Sequence, residues 1–255
     1  MYKNRYFGGW SQTLSQPPLK EFNTMMYGMV TNLPELTTGT KANPGWSPEN
    51  SVKPESPDYQ GKTLWTYGGG GAVPSDQPAS TQEVERIVST TIKNRWDGID
   101  FDDESNMNIS YLTQAMSSLK NYQKATSYGF IAGYCYNHPK TVNGEKLTIK
   151  VKQIIDSGYC DRLVHYCYAA SMWSMDDIIN NVRPGLEKSI HYGMPKEKIV
   201  LALTTTGLTD EKLNYFLESI VNMQLGGLFV WNYHKLTPGR IKVITDKLAL
   251  TEQAL

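Results

Sequence analysis

The residues best able to do chemistry lie in the run Arg95-Trp96-Asp97-Gly98-Ile99-Asp100-Phe101-Asp102-Asp103-Glu104-Ser105. Ile99 and Phe101 mark a strand, and a strand sends successive side chains to opposite faces. Asp100, Asp102 and Glu104 therefore share one face, with Ile99 and Phe101 on the other. Neighbouring carboxylates raise one another's pKa, and burial adds to the effect. Glu104, last in the row, would reach the open end of the strand. Such a coupled row can hold a proton near neutral pH, as a general acid must. Spacing alone leaves two other readings. The acids could supply oxygen ligands to a divalent cation, although the loop spacing and turn glycine of an EF-hand are absent. They could also form a solvated charge run, which the interleaved apolar pair opposes.

A scaffold has to place this row. Short apolar runs rich in β-branched and aromatic residues recur at 5–10, 24–30, 63–67, 98–101, 129–134, 162–168, 199–204 and 227–231, with connectors between them. Helical periodicity is clear at 80–95, 110–125, 176–192 and 209–223. The first of these opens on a Ser-Thr-Gln-Glu cap and keeps Val84, Ile87, Val88, Thr91 and Ile92 on one face. Eight strands alternating with helices predict a single (β/α)8 barrel filling residues 1–255, its site at the carboxyl ends of the strands. An open doubly wound sheet fits the same alternation. Helices cover the outside of a barrel, so Ile99 and Phe101 face them and the carboxylates line the interior. A Pro-, Gly-, Ser- and Thr-rich stretch from 31 to 62, carrying Trp46 and Tyr59, follows the second strand. It is expected to rim the cleft.

Composition excludes several alternatives. The chain of 255 residues carries 25 Lys and Arg against 25 Asp and Glu, so no net field draws in nucleic acid or anionic lipid. No apolar stretch approaches the roughly 18 residues of a membrane span. Hydrophobic residues at 40% and charged residues at 20% mark a globular chain. Tyr (16) and Trp (6) outnumber Phe (6), which suits a surface touching both water and something stackable. Cys135, Cys160 and Cys167 form no C-x-x-C and are expected to be free, buried thiols. No signal-peptide pattern is visible at the start, which leaves two locations open: secreted if Met1 replaces a removed signal, cytoplasmic otherwise.

The spacing Asp97-x-x-Asp100-x-Asp102-x-Glu104 resembles the D-x-x-D-x-D-x-E signature of family 18 glycoside hydrolases, the chitinases and endo-β-N-acetylglucosaminidases. The resemblance extends from about Arg5 to Leu236. Tyr67-Gly68-Gly69-Gly70-Gly71 looks like the family's small-residue end of the third strand, and Gly226-Gly227-Leu228-Phe229-Val230-Trp231 looks like its last strand. The resemblance implies retaining hydrolysis of N-acetylglucosamine glycans in which the substrate's own acetamido oxygen attacks carbon one. Glu104 is then the acid and base, Asp102 orients the acetamido N–H, and Asp100 supports Asp102. It further implies that Tyr168 binds the acetamido carbonyl, although Ala169 stands where the family carries Asp or Asn. Trp231 would lie beneath the sugar, and Tyr166, Tyr67, Gly69 and Trp10 are the remaining candidates for substrate contact. No cofactor or metal is implied. The expected partner is a β-1,4-N-acetylglucosamine oligomer or polymer, the protein acting as a monomer without nucleic acid or membrane.

Three functions follow in order. Chitinase-like hydrolysis comes first. An endo-β-N-acetylglucosaminidase cutting the chitobiose core of N-glycans is second, because Asp102-Asp103-Glu104 resembles endoglycosidase H. A binding or storage protein that has lost turnover is third, and the presence of Glu104 argues against it. The four histidines share no metal-ligand spacing, and His165 is expected to line the barrel beside Tyr166.

Overall fold

The computed structural model describes residues 5–11, 16–30, 59–69, 78, 80–104, 107–131, 144–167 and 174–249. Eight parallel strands close a barrel in chain order. They are β1 (Tyr6–Ser11), β2 (Thr24–Val30), β3 (Lys62–Gly68), β4 (Gly98–Asp102), β5 (Ala125–Ile131), β6 (Arg162–Tyr166), β7 (Ile199–Thr204) and β8 (Gly227–Trp231). From β3 onward each strand is followed by a helix: α1 (Thr81–Lys93), α2 (Ile109–Asn121), α3 (Gly144–Ser157), α4 (Met175–His191), α5 (Asp210–Met223) and α6 (Pro238–Leu248). The expected (β/α)8 barrel is the fold observed.

Local chemistry explains where the helices begin. Ser80, Asn108, Ser174, Thr209 and Thr237 each accept a backbone N–H from the first turn of the helix they precede. Such caps stabilise a helix by about 1 kcal/mol each. The apolar stripe of α1, comprising Val84, Ile87, Val88 and Thr91, is buried against the sheet. Two elements differ from expectation. The fifth strand starts at Ala125 rather than 129, and α2 stops at Asn121 rather than running to 125. Gln123 adopts a left-handed φ of 57°, which turns the chain, and Ala125 then pairs with Gly98 of β4. The small and polar start Ala125-Thr126-Ser127 looks unlike a strand until its partner is known. Helices α3 and α6 were not among the helices read from periodicity.

Alternation along the strands separates two packed regions. Trp10, Met26, Leu64, Ala125, Val164, Tyr166, Val200, Ala202 and Phe229 fill the barrel interior. Phe7, Met25, Ile99, Phe101, Leu163, Leu201 and Leu228 face outward into the layer beneath the helices. Asp97, first acid of the signature, lies at the start of β4, where it accepts the Thr63 N–H at 2.8 Å and ties β3 to β4. Among the described residues no helix is long and apolar enough to cross a membrane.

Candidate active site

Strand β4 supplies the acids. Asp100 and Asp102 are buried inside the barrel, at 0% and 3% exposure, while Glu104, just past the strand end, is partly exposed. The row thus climbs from a dry interior to the mouth. Burial of ionised carboxyls is costly unless they are hydrogen-bonded, and Asp100 is so held. One of its oxygens, Oδ2, accepts the Trp10 indole N–H and the Thr66 hydroxyl, each at 3.0 Å. Thr66 is the β3 register partner of Asp100.

Asp102 lies between the other two acids of the row. Its pKa is raised well above the usual carboxylate value, first by burial, then by the charges of Glu104 and Asp100; the nearby Tyr166 hydroxyl acts the other way. Its register partners are Gly68 on β3 and Gly129 on β5. The Gly129 position matters sterically: a Cβ there would lie 2.1 Å from the Tyr166 hydroxyl. Only glycine leaves room for Tyr166 to reach across toward Asp102.

Beneath the acids a polar layer crosses three strands. Asp100 pairs in register with Ser127, and Ser127 with Arg162. The Arg162 guanidinium is buried 5.1 Å from the centre of the Tyr6 ring, a cation–π contact. Sequence reasoning missed both Arg162 and Thr66. The signal for Thr66 was its spacing of two from Leu64, which places it on the inner face.

Several expectations about single residues change. Tyr67 does not line the interior: it faces outward, 2% exposed, with its ring edge-on to Phe101 at 6.4 Å. Since Thr66 faces Asp100, alternation sends Tyr67 to the helix side. Trp10 is 3% exposed and edge-on to Tyr166 and Phe229, and its indole N–H holds Asp100. Gly69 is buried, and its N–H donates to the Asp102 carbonyl at 3.0 Å, tying the end of β3 to β4. His165 faces away from Tyr166, hydrogen-bonded through Nε2 to the Ser189 hydroxyl at 3.0 Å and packed on Phe130. Burial lowers its pKa to about 3. Trp231, partly exposed, packs on the interior cluster at the carboxyl end of β8. Cys160 and Cys167 are free and buried, with burial pushing both thiols up to about 12. Tyr168, Gly70, Gly71, Trp46, Trp173, Cys135 and most of the stretch from 31 to 62 lie outside the described residues.

No protein-family model matches the chain, and no curated protein matches it in sequence. Solved structures do match. The catalytic domain of a hyperthermophilic chitinase from Pyrococcus furiosus is similar at 13% identity and a TM-score of 0.68, over 100% of this chain and 98% of that one. A class V chitinase from Nicotiana tobaccum matches at 11% identity and a TM-score of 0.65, over 96% and 99% of the two chains. A family 18 N-acetylglucosaminidase from Paenibacillus barengoltzii matches at 13% and 0.65, over 96% and 100%. At such identities the likeness is one of fold, a barrel shared with family 18 glycoside hydrolases.

Proposed function

We propose that this chain is a retaining, substrate-assisted glycoside hydrolase that cleaves β-1,4 linkages of N-acetylglucosamine glycans, with chitin-type oligomers or polymer as its substrate. The observation that carries this reading is the ascending row of Asp100, Asp102 and Glu104, with Asp102 buried between two other carboxyls and Glu104 at the mouth. The barrel likeness to chitinases supports it.

The chemistry follows from exposure. Glu104, the member that meets solvent, protonates the glycosidic oxygen as the C1–O bond breaks. The substrate's acetamido oxygen closes onto C1, forming an oxazolinium ion. Water then attacks C1 while Glu104 takes its proton back, and the configuration is retained. Asp102 receives the acetamido N–H and balances the positive charge of the ring that forms. Asp100, fixed by Trp10 and Thr66, supports Asp102 from below. Trp231 offers an apolar face for a sugar at the mouth, and Tyr168 binds the acetamido carbonyl.

Endo-β-N-acetylglucosaminidase action is the second reading, favoured by the Asp102-Asp103-Glu104 tripeptide. Product analysis on chito-oligosaccharides and on a high-mannose glycopeptide separates the two. Glu104→Gln preserves shape and removes the transferable proton, so turnover on the preferred glycan should fall by about 10²–10⁴-fold. Equal turnover by Glu104→Gln and wild type would remove Glu104 from the mechanism. Tight glycan binding without turnover in the wild type would favour a binding protein.

A further inference from the structure

Asp103, between the two acids at the head of the row, is turned the other way. Alternation sends its carboxylate into the apolar layer under the helices, where it is 5% exposed. A lone carboxylate there would be strongly destabilising, and this one is met on every side. Its Oδ2 accepts the Tyr128 hydroxyl at 2.7 Å and the Lys150 ammonium at 3.0 Å, while Oδ1 accepts the Met107 N–H at 2.7 Å. Its own N–H continues the sheet by donating to the Gly129 carbonyl at 2.9 Å. Three elements converge on one side chain: β5 through Tyr128, α3 through Lys150, and the segment after β4 through Met107. Lys150 is itself largely buried, with its side chain 15% exposed.

Glu104 lies between the two anchored points, Asp103 and Met107. We infer that the Asp103–Lys150 ion pair, seated by Tyr128, is a clamp that fixes the backbone carrying Glu104, and that Lys150 is a positioning residue for the general acid. It rests on the glycosidase reading for its catalytic consequence. The clamp works because each partner is unfavourable without the other. Removing the ammonium leaves a buried carboxylate uncompensated, which draws Asp103 toward water and releases the Met107 N–H. Glu104 then loses the orientation its proton transfer needs, and misplacement of a reacting group by about 1 Å can cost about 10²-fold. Sugar contacts made elsewhere in the cleft are untouched.

The test compares wild type with Lys150→Met, Lys150→Arg and Asp103→Asn. In folded Lys150→Met, kcat should fall by about 10²-fold with KM nearly unchanged, and the Met107 amide should exchange its hydrogen faster. Lys150→Arg, which retains the charge, should restore most of both. A structural role alone would lower Tm while leaving kcat of the folded protein and the rescue pattern flat, and that outcome overturns the proposal. Should Lys150→Met not fold, Asp103→Asn decides: kcat lost with KM held supports the clamp, and wild-type kcat refutes it. If the wild type turns over no glycan, the glycosidase reading fails separately, and exchange at Met107 still decides whether the clamp exists.

Discussion

Gly129→Ala tests the construction of the acid row with one methyl group. A Cβ at this position would lie 2.1 Å from the Tyr166 Oη, 2.3 Å from its Cζ and 2.9 Å from its Cε1. Those contacts are far inside van der Waals separation, so the ring has to move. It has little freedom: Tyr166 is 1% exposed, and Trp10 packs edge-on to it at 5.8 Å between ring centres. Overpacking of a filled core costs about 1–3 kcal/mol. For a chain of this size each kcal/mol lowers Tm by about 2–4 °C, so thermal denaturation should show a loss of about 2–12 °C. Activity should fall as well, because displacing Tyr166 moves away the hydroxyl whose influence lowers the pKa of Asp102. Taking a donor away from beside a charged group costs at most about 1.5–3 kcal/mol, so the loss in kcat should not exceed about 10–100-fold. Tyr166→Phe separates the two effects, since it removes the hydroxyl without adding bulk. It should reproduce the kcat loss at a smaller cost in Tm. An alanine variant with wild-type Tm and kcat would refute the packing around Asp102. A silent Tyr166→Phe beside a crippled Gly129→Ala would show that the effect is steric and owes nothing to the hydroxyl.

Trp10→Phe keeps a ring but removes the donor to Asp100, so chemical denaturation should show a loss of about 1.5–3 kcal/mol; an unchanged midpoint would mean that Thr66 alone suffices. His165 is buried and neutral, its folded pKa of about 3 lying below the unfolded value near 6.5. The unfolded chain therefore binds the extra proton, and stability falls as pH drops from 6.5 toward 3, by up to about 1.4 kcal/mol per unit. His165→Leu should flatten that part of the Tm–pH curve relative to wild type, and parallel curves would contradict it. Trp231→Ala should weaken chito-oligosaccharide binding by roughly 1 kcal/mol in a calorimetric titration. Unaltered affinity would make Trp231 a purely structural part of β8.

Much of the molecule was legible in its order of residues because the relevant signals are local. Alternation along Gly98–Asp102 placed Asp100 and Asp102 inside and Ile99 and Phe101 outside, and seven of the eight strands fell where apolar runs marked them. Ala125-Thr126-Ser127 escaped notice because its strand character comes from pairing with β4, a contact no local pattern contains. The same holds for whatever joins distant segments. Trp10 meets Asp100 across 90 residues, and Lys150 meets Asp103 across 47. Tyr67 and Thr66 adjoin in sequence and alternation along β3 separates them, but only register shows that threonine meets Asp100 while tyrosine packs on Phe101. The order of residues determined that a row of acids would exist and which way it would face, since backbone geometry alternates wherever a strand forms. Closure of the barrel decided which neighbours hold each acid and that the pKa of Asp102 is raised, because desolvation and hydrogen bonding depend on everything packed around a group in space.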